Sequence, residues 1–119
     1  MKTDQSAFLN HILDAITKIE KYIQDIDKES FMKNDLVQDG VIRQIEIIGE
    51  AVKRLSDDLK SQAPLLPWQD IAGMRDKLIH DYFGVDIDTV WLTVEKDIPV
   101  LKKEIKRISR VHGHQDPPV

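Results

Sequence analysis

Cysteine is absent from this chain, which removes disulfide cross-links and thiolate nucleophiles and leaves any zinc site to histidine and carboxylate ligands. The same absence points to a reducing compartment, and the expected location is cytoplasmic. Glycine and proline number only five each in 119 residues, and no glycine-rich phosphate loop or internal repeat is present. Strand alternation and two-residue hairpin signals are missing, which argues against a β architecture. No apolar run approaches the roughly 20 residues that cross a bilayer. The opening MKTDQSAFLN lacks the apolar segment and small residues of a secretion signal, so no membrane association is expected. A basic excess is lacking too: 17 Lys and Arg stand against 21 Asp and Glu, a net charge of -4. That is the wrong sign for a protein that coats phosphate backbones, so any contact with nucleic acid must be local.

What the chain has is helical periodicity. Leu9, Ile12, Leu13, Ile16, Ile19, Ile23 and Ile26 recur at three- and four-residue steps, which predicts a first helix from about Asp4 to Lys28 with Thr3 or Asp4 as its cap. Ser30 can cap a short segment that follows. Val37, Val41, Ile45, Ile48, Val52, Leu55 and Leu59 form a second stripe with the steps of a heptad seam, read as one helix of several turns. The stretch SQAPLLP breaks the pattern, because each proline removes a backbone donor and biases its predecessor away from helix. Pro67 suits the first turn of a third helix carrying Trp68, Ile71, Met74, Leu78 and Ile79 inward, with Gly84 closing it. A fourth helix starts near Asp86 or Asp88 and places Val90, Trp91, Val94, Ile98, Leu101, Ile105 and Ile108 on one stripe, with a kink or short interruption at Pro99. The fold class is therefore all-α, an antiparallel four-helix bundle with a kinked last helix. One domain over residues 1–111 and a disordered tail over 112–119 are expected.

The chemistry concentrates in RDKLIHDY, residues 75–82. On an ideal helix Arg75 and Tyr82 fall nearly in line, whereas His80 points about 140° away from Arg75. Convergence is easier if a second copy of the chain supplies part of the site, which suggests a symmetric dimer. The spacing alone is weak, since Arg107 and His112 repeat it without the tyrosine, and a helix surface ending in a dipole-favoured histidine is the bland alternative. Elsewhere the bland readings win. Trp68 and Trp91 lie on apolar stripes and read as core rather than as base-stacking platforms. Gly40 and Gly49 read as close-packing points or a seam between protomers. Glu46 and Glu50 read as a solvated face or as ion-pair partners of Lys53 or Arg54. His112 and His114 are an incidental pair in the tail.

A longer string carries more information. Trp68-Gln-Asp-Ile71-Ala-Gly73-Met74-Arg75-Asp-Lys-Leu78-Ile79-His80-Asp-Tyr82-Phe-Gly-Val85-Asp86, then Val90-Trp91, resembles the signature of the HepT-like family of HEPN domains. Asp39-Gly-Val-Ile-Arg43-Gln-Ile-Glu46-Ile-Ile-Gly49-Glu50-Ala51 upstream and Lys96-Asp97-Ile98-Pro99 downstream extend the resemblance over about residues 5 to 110. It implies a HEPN-like helical bundle that dimerises, with the Arg-x4-His elements of two protomers facing a shared cleft. It further implies a metal-independent endoribonuclease toxin without a cofactor, acting on an RNA substrate, tRNA or mRNA. Its partner would be a minimal nucleotidyltransferase antitoxin that silences it by AMPylation. Position by position, Arg75 and His80 become the catalytic pair, Asp76 the supporting polar residue and Tyr82 the modification target. The alternatives are a non-catalytic helical module that serves a nucleotidyltransferase, with Arg75 as an anion clamp, and a plain interaction bundle. Asp81 and Asp86, close to where a phosphate would bind, and the acidic net charge stand against the toxin reading.

Overall fold

The computed structural model describes residues 5–80 and 85–112, and the side chains of all of these except residues 75, 77–80, 111 and 112. The described chain is helical: α1 (Gln5–Tyr22), α2 (Lys28–Met32), α3 (Asp35–Lys53), α4 (Asp57–Lys60), α5 (Trp68–His80), α6 (Ile87–Leu92), a π-helical turn (Thr93–Asp97) and α7 (Ile98–His112). The bundle is built on α3, which packs against α1 on one side and α5 on another, while α7 lies along α1.

The stripes read from the sequence form the core. Leu9, Ile12, Ile16 and Ile19 from α1, Val41, Ile45, Ile48 and Val52 from α3, and Leu101, Ile105 and Ile108 from α7 are all buried. Each such side chain contributes about 1.5–3 kcal/mol by leaving water. Antiparallel order is seen where helix ends meet. At one end of the α1–α3 pair the Ser56 N–H donates to Gln5 Oε1 at 2.7 Å. At the other, Tyr22 lies against Gly40, whose missing side chain lets the ring approach: a Cβ there would stand 3.2 Å from the ring carbons Cδ2 and Cε2. Lys102, early in α7, reaches Glu20 in the last turn of α1 at 2.8 Å.

Two helices are shorter than their apolar rhythm suggests. The first ends at Tyr22 rather than near Lys28, because the chain turns there and Asp25 takes a left-handed φ of 62°, a conformation that aspartate tolerates better than most residues. Ile23 and Ile26 keep the three-residue step yet pack from the turn, half-buried against the core. The cap of α2 is Asp27, not Ser30: its carboxylate accepts the Ser30 N–H at 2.9 Å. That bond holds the Asp27 carboxyl below its ordinary range by favouring the charged form.

The second long stripe is likewise divided. α3 stops at Lys53, and Ser56 caps α4 by accepting the Leu59 N–H at 3.2 Å. Leu55 and Leu59 remain buried on either side of that break, so the stripe is continuous while the helix is not. The Pro67 carbonyl accepts the first helical bond of α5, from the Ile71 N–H at 3.0 Å. Trp68 then ties the start of α5 to the preceding connection, its indole N–H donating to the Lys60 and Ala63 carbonyls at 3.1 and 3.0 Å.

Asp86 is the N-cap of α6, its carboxylate accepting the Asp88 N–H at 3.0 Å and the Thr89 hydroxyl at 3.1 Å. The interruption expected near Pro99 is the π-helical turn: the Ile98 N–H bonds back to the Thr93 carbonyl, five residues earlier. Proline has no N–H to continue the regular ladder, and the wider turn absorbs the mismatch. The last helix runs through His112, one residue into the expected tail; Gly84 and residues 113–119 lie outside the described residues.

Candidate functional site

The segment that carries the motif is the second half of α5. Its backbone is helical through position 80, so positions 76 and 80 lie one turn apart on the same face, about 40° apart in projection. The side chains of Arg75, Leu78, Ile79 and His80, and all of Tyr82 and Asp81, lie outside the described residues. Asp76 is described. Its carboxylate accepts two bonds from the Lys53 ammonium, at 2.7 Å to Oδ1 and 2.9 Å to Oδ2. Thus the last residue of α3 meets the third turn of α5, beside the motif arginine.

That contact was not foreseen from the sequence. Lys53 lies 23 residues before Asp76, and no periodicity links them; the sequence reading offered Lys53 as a partner for Glu46 or Glu50. The structure instead pairs Glu50 with Arg54 at 3.1 Å, as anticipated, and Glu46 with Arg43 at 3.7 Å. The Lys53 and Asp76 side chains retain 38% and 47% of their exposure, so solvent screens the pair and it acts on geometry more than on stability.

A cleft of about 330 Å³ opens between α1 and α3, lined by Phe8, His11, Arg43, Glu46, Ile47, Glu50, Ala51 and Arg54. Phe8 and His11 meet edge to face there, with ring centroids 6.4 Å apart. A second cleft of about 300 Å³ is mostly apolar, with Ile45, Ile48, Ile71, Met74, Ile98 and Leu101 in its wall and Asp70 and Asp97 also lining it. Trp91 lines neither; it is buried against Phe31, as its place on an apolar stripe implied. No described helix is long and apolar enough to cross a membrane.

The family model described as "Ribonuclease HepT-like" matches residues 12–108, a span that contains α5 and every charged residue of the contact above. A protein of Methanocaldococcus jannaschii, "Putative RNase MJ0125", is 47% identical over 107 residues, covering 90% of this chain and 92% of that protein. "Probable ribonuclease HepT" of Thermococcus cleftensis is 44% identical over 110 residues, covering 92% of this chain and the whole of that protein. A third relative, "Gamma-glutamylcyclotransferase and putative RNase MJ0434" of M. jannaschii, is 47% identical over 108 residues, and the chain spans 49% of its length. No solved structure matches.

Proposed function

We propose, from the premise that this chain belongs to the HepT-like ribonuclease family, that it is a metal-independent endoribonuclease toxin. It works as a homodimer and cuts RNA with Arg75 and His80. The observation that carries this reading is the family match across residues 12–108, within which the Arg-x4-His-x-Tyr string stands intact.

The chemistry needs no more than these side chains. The 2′-hydroxyl of the nucleotide before the scissile bond attacks the adjacent phosphorus in line. A bond forms from O2′ to phosphorus, and the bond from phosphorus to the 5′-oxygen breaks. An imidazole with an ordinary pKa of about 6.5 takes the 2′-hydroxyl proton or gives one to the departing 5′-oxygen near neutral pH. Arg75 holds the phosphate through paired N–H donors and stabilises the charge that builds on its oxygens. Asp76 supports the pair. The products are a 2′,3′-cyclic phosphate and a 5′-hydroxyl.

A cognate minimal nucleotidyltransferase is the antitoxin, and it transfers AMP from ATP to the Tyr82 phenol, the phenolic proton being lost and pyrophosphate leaving. The added phosphodiester places bulk and negative charge where an RNA phosphate approaches Arg75.

The deciding experiment is cleavage of total RNA in excess chelator by the wild type and by His80→Ala and Arg75→Ala, with His112→Ala as the control of equal spacing. The two motif variants lose cleavage with their helical circular dichroism intact, and the control keeps it. A wild type that cuts no RNA leaves the non-catalytic module as the better reading, undiminished cleavage by His80→Ala removes His80 from the reaction, and a strict need for a divalent ion moves the chemistry to carboxylates.

A further inference from the structure

We propose that Lys53 is a positioning residue for the cleavage centre, acting through Asp76; the inference rests on the assignment of Arg75 and His80 above. The Lys53 ammonium grips both oxygens of Asp76, at 2.7 and 2.9 Å. It thereby ties the last turn of α3 to the motif helix at the residue that follows Arg75 and precedes His80 by one turn.

An aspartate one turn before a histidine on the same helical face favours the imidazolium, because opposite charges attract. Left alone, it would pull the histidine away from the neutral range in which one ring can both take and give a proton. The ammonium clamped on that carboxylate offsets the effect. The neighbouring charges on the same stretch of α3 are paired with each other, Glu50 with Arg54 at 3.1 Å and Glu46 with Arg43 at 3.7 Å. Lys53 therefore supplies the α3 cation that reaches Asp76 among the described ion pairs. A pair this exposed adds little to stability, so its removal should be felt at His80 more than in the fold.

The test combines cleavage kinetics with an NMR titration of the His80 imidazole in the full chain. Lys53→Met removes one positive charge from beside Asp76 and is expected to raise the His80 pKa, move the pH optimum upward and lower kcat about tenfold at similar KM. Asp76→Asn leaves the ammonium uncompensated and should lower the His80 pKa. Lys53→Arg keeps the charge and should restore most of the cleavage rate. Lys102→Met breaks an ion pair of similar exposure with Glu20, 2.8 Å long, and should change neither readout. His80 shifts that are absent, or of the same sign in Lys53→Met and Asp76→Asn, overturn the proposal. So does a Lys53→Met defect confined to KM and abolished at low salt, which would make Lys53 a plain phosphate contact. The titration is independent of activity: a wild type that cuts no RNA sinks the ribonuclease reading, while the opposed shifts alone decide whether Lys53 acts on His80.

Discussion

Phe31 lies against Trp91 with ring centroids 5.0 Å apart and planes tilted by 43°. This contact joins the short helix α2 to α6. A five-residue helix cannot sustain itself, and α2 holds its place because Phe31 is wholly buried and because the Gln38 side-chain amide donates to the Phe31 carbonyl at 2.9 Å. Phe31→Ala should therefore cost about 3–5 kcal/mol in urea denaturation. A loss under 1 kcal/mol would show that the two segments dock independently of this pair.

Two helical glycines make a matched test of packing. A Cβ at Gly73 meets nothing within 4 Å, whereas one at Gly40 meets the Tyr22 ring at 3.2 Å. Gly73→Ala should stabilise by about 0.5–1 kcal/mol through the lost freedom of the unfolded chain, and Gly40→Ala by less, the crowding cancelling the gain. Destabilisation by Gly73→Ala, seen as a lower Tm, would mean that a second chain covers that face.

The Asp27 cap predicts a small acid dependence. Its folded pKa lies below the ordinary value because the Ser30 N–H stabilises the carboxylate, so its contribution is present above the unfolded pKa and fades as pH falls through the folded one. Asp27→Asn, which keeps an acceptor at the cap, should flatten that part of the stability profile below pH ~4. Profiles that superimpose would remove the cap from the account of acid unfolding.

A shared cleft requires two chains. Light scattering should report a dimer at working concentration, and specific activity should fall as dilution dissociates it. A monomer of undiminished activity would place the whole site in one protomer.

Tyr82 has no proton-transfer duty in the proposed reaction. Tyr82→Phe should retain most of the cleavage activity yet escape silencing by the nucleotidyltransferase and ATP. Mass spectrometry should find AMP additions on the wild type and none on the variant. Equal silencing of both proteins would mean that the antitoxin inhibits by binding.

Much of the fold was legible because burial is periodic. The stripes through Ile16, Ile48 and Ile105 named the core, and Asp86, Pro67 and Pro99 marked where helices begin or break, since caps and prolines act locally. What misled was the same periodicity carried past a helix end: Ile26 and Leu59 keep the spacing but sit beyond a left-handed Asp25 and a Ser56 cap. Of the site, the motif string was visible and its support was not. The Lys53 partnership with Asp76 depends on how α3 and α5 lie against each other, which no local rule supplies.

The π-helical turn at Thr93–Asp97 lets one nearly unbroken rod serve two masters. Each residue of an α-helix advances about 100°, and a π turn adds roughly one residue without adding a turn. The stripe of α6 can thus face α2 through Trp91 while that of α7 faces α1 through Ile105 and Ile108. Length here is a phase setting. Winding all five residues as ordinary helix would discard no core atom, yet it would swing Trp91 and Ile105 out of step, so that one partner must be given up; deleting exposed Glu95 would close the turn with that phase kept.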